Sequence, residues 1–344
     1  MTTDRRKFLL IAGAIALAPI AAGQAPAKTI IPDKGWDCRM PGGIPSPENG
    51  TLVFEAQMKL DRLADLGATP YGKRRVAVGL EGTARGSKLS ATVMTGALDF
   101  ELTLSNGIVE VEDLFVFKTD DGKYILSRSA GVGADSKDVR VVMDFEAPTG
   151  SSAEWLNTGK YVARRLLDKS AKIFSLQVYD VSNIAVNTDA ANVTRIGKPA
   201  GTKAQPWDYR QKDPSEKQGP ELIVESVGLS PSQRVGPSKR GARNIIPITG
   251  GEITGRITGK VLAGGADYQN LSTPPAIDAR YLWQASDGEI IIVRNTTSAA
   301  GGLVPSFEAR SDGPYAYLNT GLYLSSNPAI ANGGVKITMY DSTK

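Results

Sequence analysis

The stretch ITGGEITGRITGKVLAGGADYQ, residues 248–269, runs parallel to LEGTARGSKLSATVMTGALDFE, residues 80–101, and this correspondence decides the fold. The likeness continues outward in the same order. AIDARYLWQASDGEIIIVRN (276–295) answers IVEVEDLFVFKTDDGKYILSR (108–128), FEAR (307–310) answers FEAP (145–148), YAYLNTGLYL (315–324) answers AEWLNTGKYV (153–162), and VKITMYD (335–341) answers FSLQVYD (174–180). A chain of 344 residues thus divides into two copies, 50–182 and 221–344, each of ordinary domain size. Residues 183–220 turn polar and Pro-rich and are read as a linker with little apolar surface to share between the copies, and residues 28–49 as a Pro- and Gly-rich coil.

Within each copy, short runs of Val, Ile, Leu and aromatic residues are separated by Gly, Asp, Asn and Pro. Asp121-Gly122 and Asp287-Gly288 each sit between strand-like segments, which is hairpin chemistry. Helical spacing is confined to MKLDRLADLG (58–67) and to residues 161–172. Many short antiparallel strands without a βαβ rhythm predict an all-β fold of two tandem small barrels, and a barrel of about eight strands encloses just enough space for side chains or one small ligand.

Composition narrows the chemistry. The chain has no histidine and one cysteine, which excludes Ser-His-Asp and Cys-His nucleophiles, an internal disulfide and cysteine- or histidine-based metal centres. No cofactor or metal is expected. Half of the formal net charge of +4 resides in Arg5, Arg6 and Lys7 against Asp4, so the remainder gives no electrostatic case for nucleic acid. Arg5-Arg6 followed by Phe8 and Leu9 and an apolar stretch to Ala22 resembles a twin-arginine leader, with Ala25-Pro26-Ala27 as cleavage site. Residues 1–27 are therefore expected to engage the twin-arginine export machinery and deliver a folded protein to the periplasm or beyond, with membrane contact confined to export.

The ordered motifs of residues 221–344, GGEITGRITGKVLAGGADYQ, DARYLWQASDGEIIIVRN, Phe307-Glu308 and YAYLNTGLYL, resemble the domain of unknown function 3237 family, also called uncharacterised protein family 0311. The first copy is similar but eroded. It keeps GATPYGKRRVAV (67–78), Asp99, Asp121-Gly122, Phe145-Glu146 and Trp155-Leu156-Asn157, lacks the paired glycines, and has Leu114 where the second has Arg280. The resemblance implies an antiparallel barrel of the allene-oxide-cyclase-like kind and brings no established activity.

Asp99 and Asp267, Glu146 and Glu308, Asn157 and Asn319 match between the copies, which favours a structural role for each pair. Alternation along a strand puts Asp278, Arg280 and Leu282 on one face and Ala279, Tyr281 and Trp283 on the other, and Tyr315, Tyr317 and Asn319 on one face of a further segment. If the polar faces line the lumen, Arg280, Asp278, Tyr315 and Asn319 would bind a small aromatic or carboxylate-bearing molecule, with Glu308, Asp267 and Tyr317 carrying proton transfer. The alternative pairs Arg280 with Asp278 or Glu308 as a structural ion pair. The clusters Lys73-Arg74-Arg75 and Lys239-Arg240 with Arg243 read as solvated loops. A cofactor-independent isomerase, cyclase or lyase, a periplasmic carrier, and an assembly unit that forms homo-oligomers all remain open at this point.

Overall fold

The computed structural model describes residues 28–33, 40, 42–205, 210–271, 273–331 and 333–343. The leader with Arg5 and Arg6, and Cys38, lie outside the described residues. Among the described residues no helix is long and apolar enough to cross a membrane.

Each copy closes into an eight-strand antiparallel barrel. In the first, Thr51–Thr69 pairs with Gly72–Gly86, then Leu98–Thr103, Val109–Thr119, Tyr124–Gly133, Arg140–Met143, Tyr161–Asp168 and Ile173–Asp180 follow around the wall, and the last strand returns to the first. In the second, Glu221–Leu229 and Gly241–Gly255 open the wall, Ala266–Asn270, Asp278–Ala285, Ile290–Thr297, Leu303–Glu308 and Tyr323–Ser325 follow, and Gly334–Asp341 closes onto Glu221–Leu229. Full closure leaves no long edge to be protected. Inward side chains fill both barrels. Phe54, Phe115, Phe117, Phe145 and Phe174 pack in the first, with Phe54 edge-on to Phe117 at 5.9 Å. Tyr281, Trp283, Phe307, Tyr323 and Met339 pack in the second, with Trp283 and Phe307 centred 5.2 Å apart.

Both expected helices are strands. Residues 58–67 lie in Thr51–Thr69, and residues 161–168 form Tyr161–Asp168. The i, i+3 spacing of Leu60 and Leu63 that imitates a helix comes from β-bulges: the ladder slips between Met58 and Leu60, between Leu60 and Arg62, and between Asp65 and Gly67. The slip between Leu60 and Arg62 exchanges the faces, so Ala56, Met58, Leu60 and then Leu63 point into the first lumen while Ala64 and Leu66 point out of it. The lead segment is likewise not plain coil, because Thr29–Pro32 pairs in parallel with Val193–Ile196 of the linker, and Ile30, Ile44 and Ile196 share an apolar cluster on the first barrel.

The barrels do share an apolar face, contrary to the expectation from the polar linker. Val76, Val78, Leu98, Phe100, Leu114, Val116 and Leu126 of the first pack with Val235, Ile245, Ala266, Tyr268, Leu282 and Ile292 of the second. The contact repeats itself under an approximate two-fold, as an isologous dimer interface does. Glu308 accepts hydrogen bonds from Thr69 Oγ1 (2.5 Å) and Arg74 Nε (3.0 Å), and in the corresponding place Glu146 accepts from Ser238 Oγ (3.3 Å) and from Arg243 Nε and Nη2 (2.7 and 2.8 Å). The Ser311 amide donates to Ala68 O at 2.8 Å, and the Thr149 amide to Pro237 O at 2.7 Å. Of the basic clusters read as solvated loops, Arg74, Lys239, Arg240 and Arg243 are therefore interface residues, Arg74 buried and Lys239 and Arg240 both paired with Asp144, whereas Arg75 pairs with Glu101 within the first barrel. Where the backbones touch, the Gly265 amide donates to Gly96 O at 2.9 Å. Gly265 has φ +74, and a Cβ on it would lie 2.0 Å from Arg280 O, so the second of the paired glycines is required by both conformation and space.

Candidate functional site

Which face of Asp278–Ala285 lines the lumen is settled by packing. Ala279, Tyr281, Trp283 and Ala285 belong to the inner cluster of the second barrel, and Leu282 to the inter-barrel cluster. Arg280 and Asp278 accordingly face the first barrel. Arg280 pairs with Glu112 of the first copy and donates from Nε to Asp278 Oδ1 at 3.1 Å, while Asp278 Oδ2 accepts from Arg128 at 2.7 Å. Burial works against the Asp278 charge, but Arg280, Arg128 and Arg294 hold its carboxyl far below the usual range. Glu308 is committed to Thr69 and Arg74.

The remaining expected residues do not meet these in one pocket. Ala316–Asn319 is a 3-10 turn rather than a strand, so Tyr315, Tyr317 and Asn319 do not share a strand face. Asn319 clamps Ala309, accepting from its amide at 2.8 Å and donating to its carbonyl at 3.0 Å, as Asn157 clamps Ala147 in the first copy. Tyr317 lies under the Arg256 guanidinium, 4.4 Å from its ring centroid. Of the expected set, Asp267 enters the second lumen from the wall, since its neighbours Ala266 and Tyr268 face the first barrel, while Tyr315 and Tyr317 pack against the inner cluster from the 3-10 turn.

Around Asp267 the ladder assembles a polar mouth. Asp267 stands opposite Ala279, and Ala279 opposite Asn295, so the acid and the amide flank a small side chain across a gap of about 10 Å, two strand spacings. One row outward, Asn244 stands opposite Gln269. A directed chain fixes the amides: Gln269 Nε2 donates to Asp267 Oδ2 at 2.6 Å, which leaves its Oε1 to accept from Asn244 Nδ2 at 2.8 Å. Asn295 Nδ2 donates to Ser325 Oγ at 3.0 Å. Three oxygens then remain buried without a hydrogen-bond donor, Asn244 Oδ1, Asp267 Oδ1 and Asn295 Oδ1. Burial raises the Asp267 carboxyl to about 6, against the bond from Gln269 and a weaker contact with the Asp278 amide. The linker reaches this end, where the Ala299 amide donates to Gln211 Oε1 at 2.7 Å and Arg210 Nη1 to Tyr323 O at 3.3 Å.

Deeper in the same lumen sits Glu225, fully buried, whose two oxygens accept from the Tyr281 hydroxyl at 2.6 Å and the Trp283 indole at 2.9 Å. Burial, only partly offset by those two donors, lifts its carboxyl to about 7. Sequence reasoning passed over this residue, although a signal was present. Ladder positions equate Glu225, Tyr281 and Trp283 with Ala56, Phe115 and Phe117, three apolar residues in the first copy. The polar mouth differs between copies in the opposite sense. Arg75, Asp99, Glu101 and Asp113 of the first barrel occupy the positions of Asn244, Asp267, Gln269 and Ala279.

A family model described as a protein of unknown function, DUF3237, matches residues 49–184 and 222–302, more than half of the chain, and the chain belongs to that family. A UPF0311 protein of Bradyrhizobium diazoefficiens is 51% identical over 57 residues, 16% of this chain and 38% of that protein. A second, of Rhodopseudomonas palustris, is 43% identical over 80 residues, 23% of this chain and 52% of that protein. These curated matches thus span about half, or less, of the relatives' length. Among solved structures, a conserved protein of unknown function from Rhodopseudomonas palustris is 23% identical with a TM-score of 0.34, covering 38% of this chain and 95% of that one. A beta-barrel like protein from Acinetobacter baumannii (21%, TM-score 0.34, 38% and 94% covered) and an enzyme from Penicillium herquei (17%, 0.31, 39% and 96%) are similar to the same extent.

Proposed function

We propose that in this member of the DUF3237 family the mouth of the second barrel binds a small, uncharged molecule bearing hydroxyl or phenol groups. The observation that carries the reading is the set of three donor-less oxygens on Asn244, Asp267 and Asn295, which flank or overhang the gap above Ala279. Buried acceptors left without donors are costly, and a ligand that supplies O–H groups recovers that cost. A carboxylate-bearing ligand, the class expected when Arg280 was read into the lumen, would place its own oxygens against these acceptors. Asp267, lifted toward neutrality by burial, is the group able to take a proton from such a ligand and return it. That is the equipment of a cofactor-independent isomerase or lyase, whereas a carrier would use Asp267 only as an acceptor. The leader adds that this binding takes place after export from the bacterial cytoplasm.

The test is native mass spectrometry of the purified full chain together with a thermal-shift screen of neutral polyols and phenols. The wild type is expected to retain or be stabilised by such a molecule, and Ala279→Leu, which fills the gap between Asp267 and Asn295, to lose it while keeping its own melting temperature. Equal stabilisation of both proteins removes the mouth from consideration. Asp267→Asn separates the two forms of the proposal: turnover in the wild type that is lost in the variant with binding retained marks an enzyme, binding without turnover in both proteins marks a carrier, and turnover that survives the substitution removes Asp267 as the proton-transfer group.

A further inference from the structure

The first barrel carries an arrangement that the proposed site does not use. Asp99 and Asp113 stand directly opposite one another on Leu98–Thr103 and Val109–Thr119 and both point inward, since Leu98, Phe100 and Leu114 on either side of them face the second barrel. Both residues are buried, Asp113 completely. Arg165 donates to both oxygens of Asp99, at 2.7 and 2.6 Å, and lies 2.8 Å from Glu101, which also pairs with Arg75. Neither arginine is bonded to Asp113, and neither Asp113 oxygen meets a protein donor. From the far side Ser129 stands opposite Asp113, but its hydroxyl is engaged with Ser127 at 3.0 Å and the Asp144 amide at 3.2 Å. The charged and titratable groups around Asp113 are therefore Asp99, Glu101, Arg75 and Arg165 inside the lumen and Glu112 beside it on the outer face.

Two carboxylates cannot share such a position unless a proton or another positive charge lies between them. We propose that Asp99 and Asp113 hold one proton in common, and that its loss on alkalinisation loosens the contact between the two barrels. The connection is covalent and short. Asp113 is flanked on its own strand by Glu112, which pairs with Arg280 of the second barrel, and by Leu114, which packs in the shared apolar cluster. An ionised Asp113 must shift toward water, and the strand that carries it takes both interface residues along. Burial and the Asp99 charge both push the Asp113 carboxyl upward, in keeping with this reading. The second barrel has no counterpart, since Ala279 occupies the position of Asp113.

The experiment uses the full chain and two variants, Asp113→Asn and Asp113→Ala, the latter copying the second barrel's residue. Infrared difference spectra of wild type minus each variant near neutral pH should show a protonated-carboxyl C=O stretch. Hydrogen exchange of residues 109–119, corrected for intrinsic rates, should lose protection in the wild type on passing from mildly acidic to alkaline buffer and stay constant in both variants. Absence of the carboxyl band overturns the shared proton. A band with pH-independent protection, or the same loss of protection in the variants, overturns the coupling to the interface.

Discussion

Replacing Glu225 by Gln tests the most unusual group of the second lumen, a carboxyl held between a phenol and an indole with no cation beside it. Burial moves this carboxyl from 4.5 to about 7, so the folded state binds its proton more tightly than the unfolded chain does. Stability from this group is complete below pH of about 4.5, falls as the pH rises to about 7, and is flat above, with a total loss of about 3 kcal/mol at 1.36 kcal/mol per unit. The amide introduced by Glu225→Gln does not titrate. Its carbonyl still accepts from Tyr281, but its NH2 faces the Trp283 N–H and leaves that donor unsatisfied, costing about 1–3 kcal/mol at every pH. The variant is therefore expected to be the less stable protein in acid and to gain about 3 kcal/mol on the wild type by neutrality, reaching or passing it. Urea unfolding of both proteins across this range reads the difference, and because Asp267 and Asp113 titrate alike in both, their contributions cancel. Parallel stability curves would refute the argument. The triple change Glu225→Ala, Tyr281→Phe and Trp283→Phe, which installs the first barrel's residues, should abolish the same pH-dependent component.

Two further outcomes are expected. Arg280→Leu, though it copies Leu114, should destabilise the chain by about 3–5 kcal/mol, because Glu112 and part of Asp278 lose their buried partner; a melting temperature equal to wild type would contradict the interface role. Arg5→Lys combined with Arg6→Lys should leave precursor in the cytoplasm, measured by fractionation of producing cells, and normal export of the double variant would remove the leader assignment.

The repeat and the barrel class were legible because strand alternation and turn chemistry are local. The helix reading of residues 58–67 failed because a β-bulge advances the pattern by one residue, and Leu60 followed by Leu63 looks the same in one dimension whichever cause produced it. The lumen assignment of Arg280 failed for a different reason. Alternation separates the two faces of Asp278–Ala285, but when a barrel packs on another barrel both faces are buried, and the assumption that the polar face is the special one has no support. A comparison of the copies held the missing information. Thr69, Gly72 and Arg74 recur as Ser238, Gly241 and Arg243, which marks a shared contact, whereas Ala56, Phe115 and Phe117 change together to Glu225, Tyr281 and Trp283, which marks a rebuilt interior. Asp267 was found because an acid stands at the same place in both copies, as Asp99 in the first. Its donor-less partners Asn244 and Asn295 could not be, since an unfilled hydrogen bond has no sequence signature.

The reciprocal contacts of Glu308 with Arg74 and Glu146 with Arg243 would, in two separate chains, be the same contact counted twice, and any single substitution would strike both. Joined in one chain they are independent positions, so one can be lost while the other holds. Dilution cannot part the barrels either, because the linker fixes their local concentration. The charged pairs are thereby relieved of supplying affinity and are left to set angle and register. Each lumen can change its chemistry without regard to whether its neighbour follows.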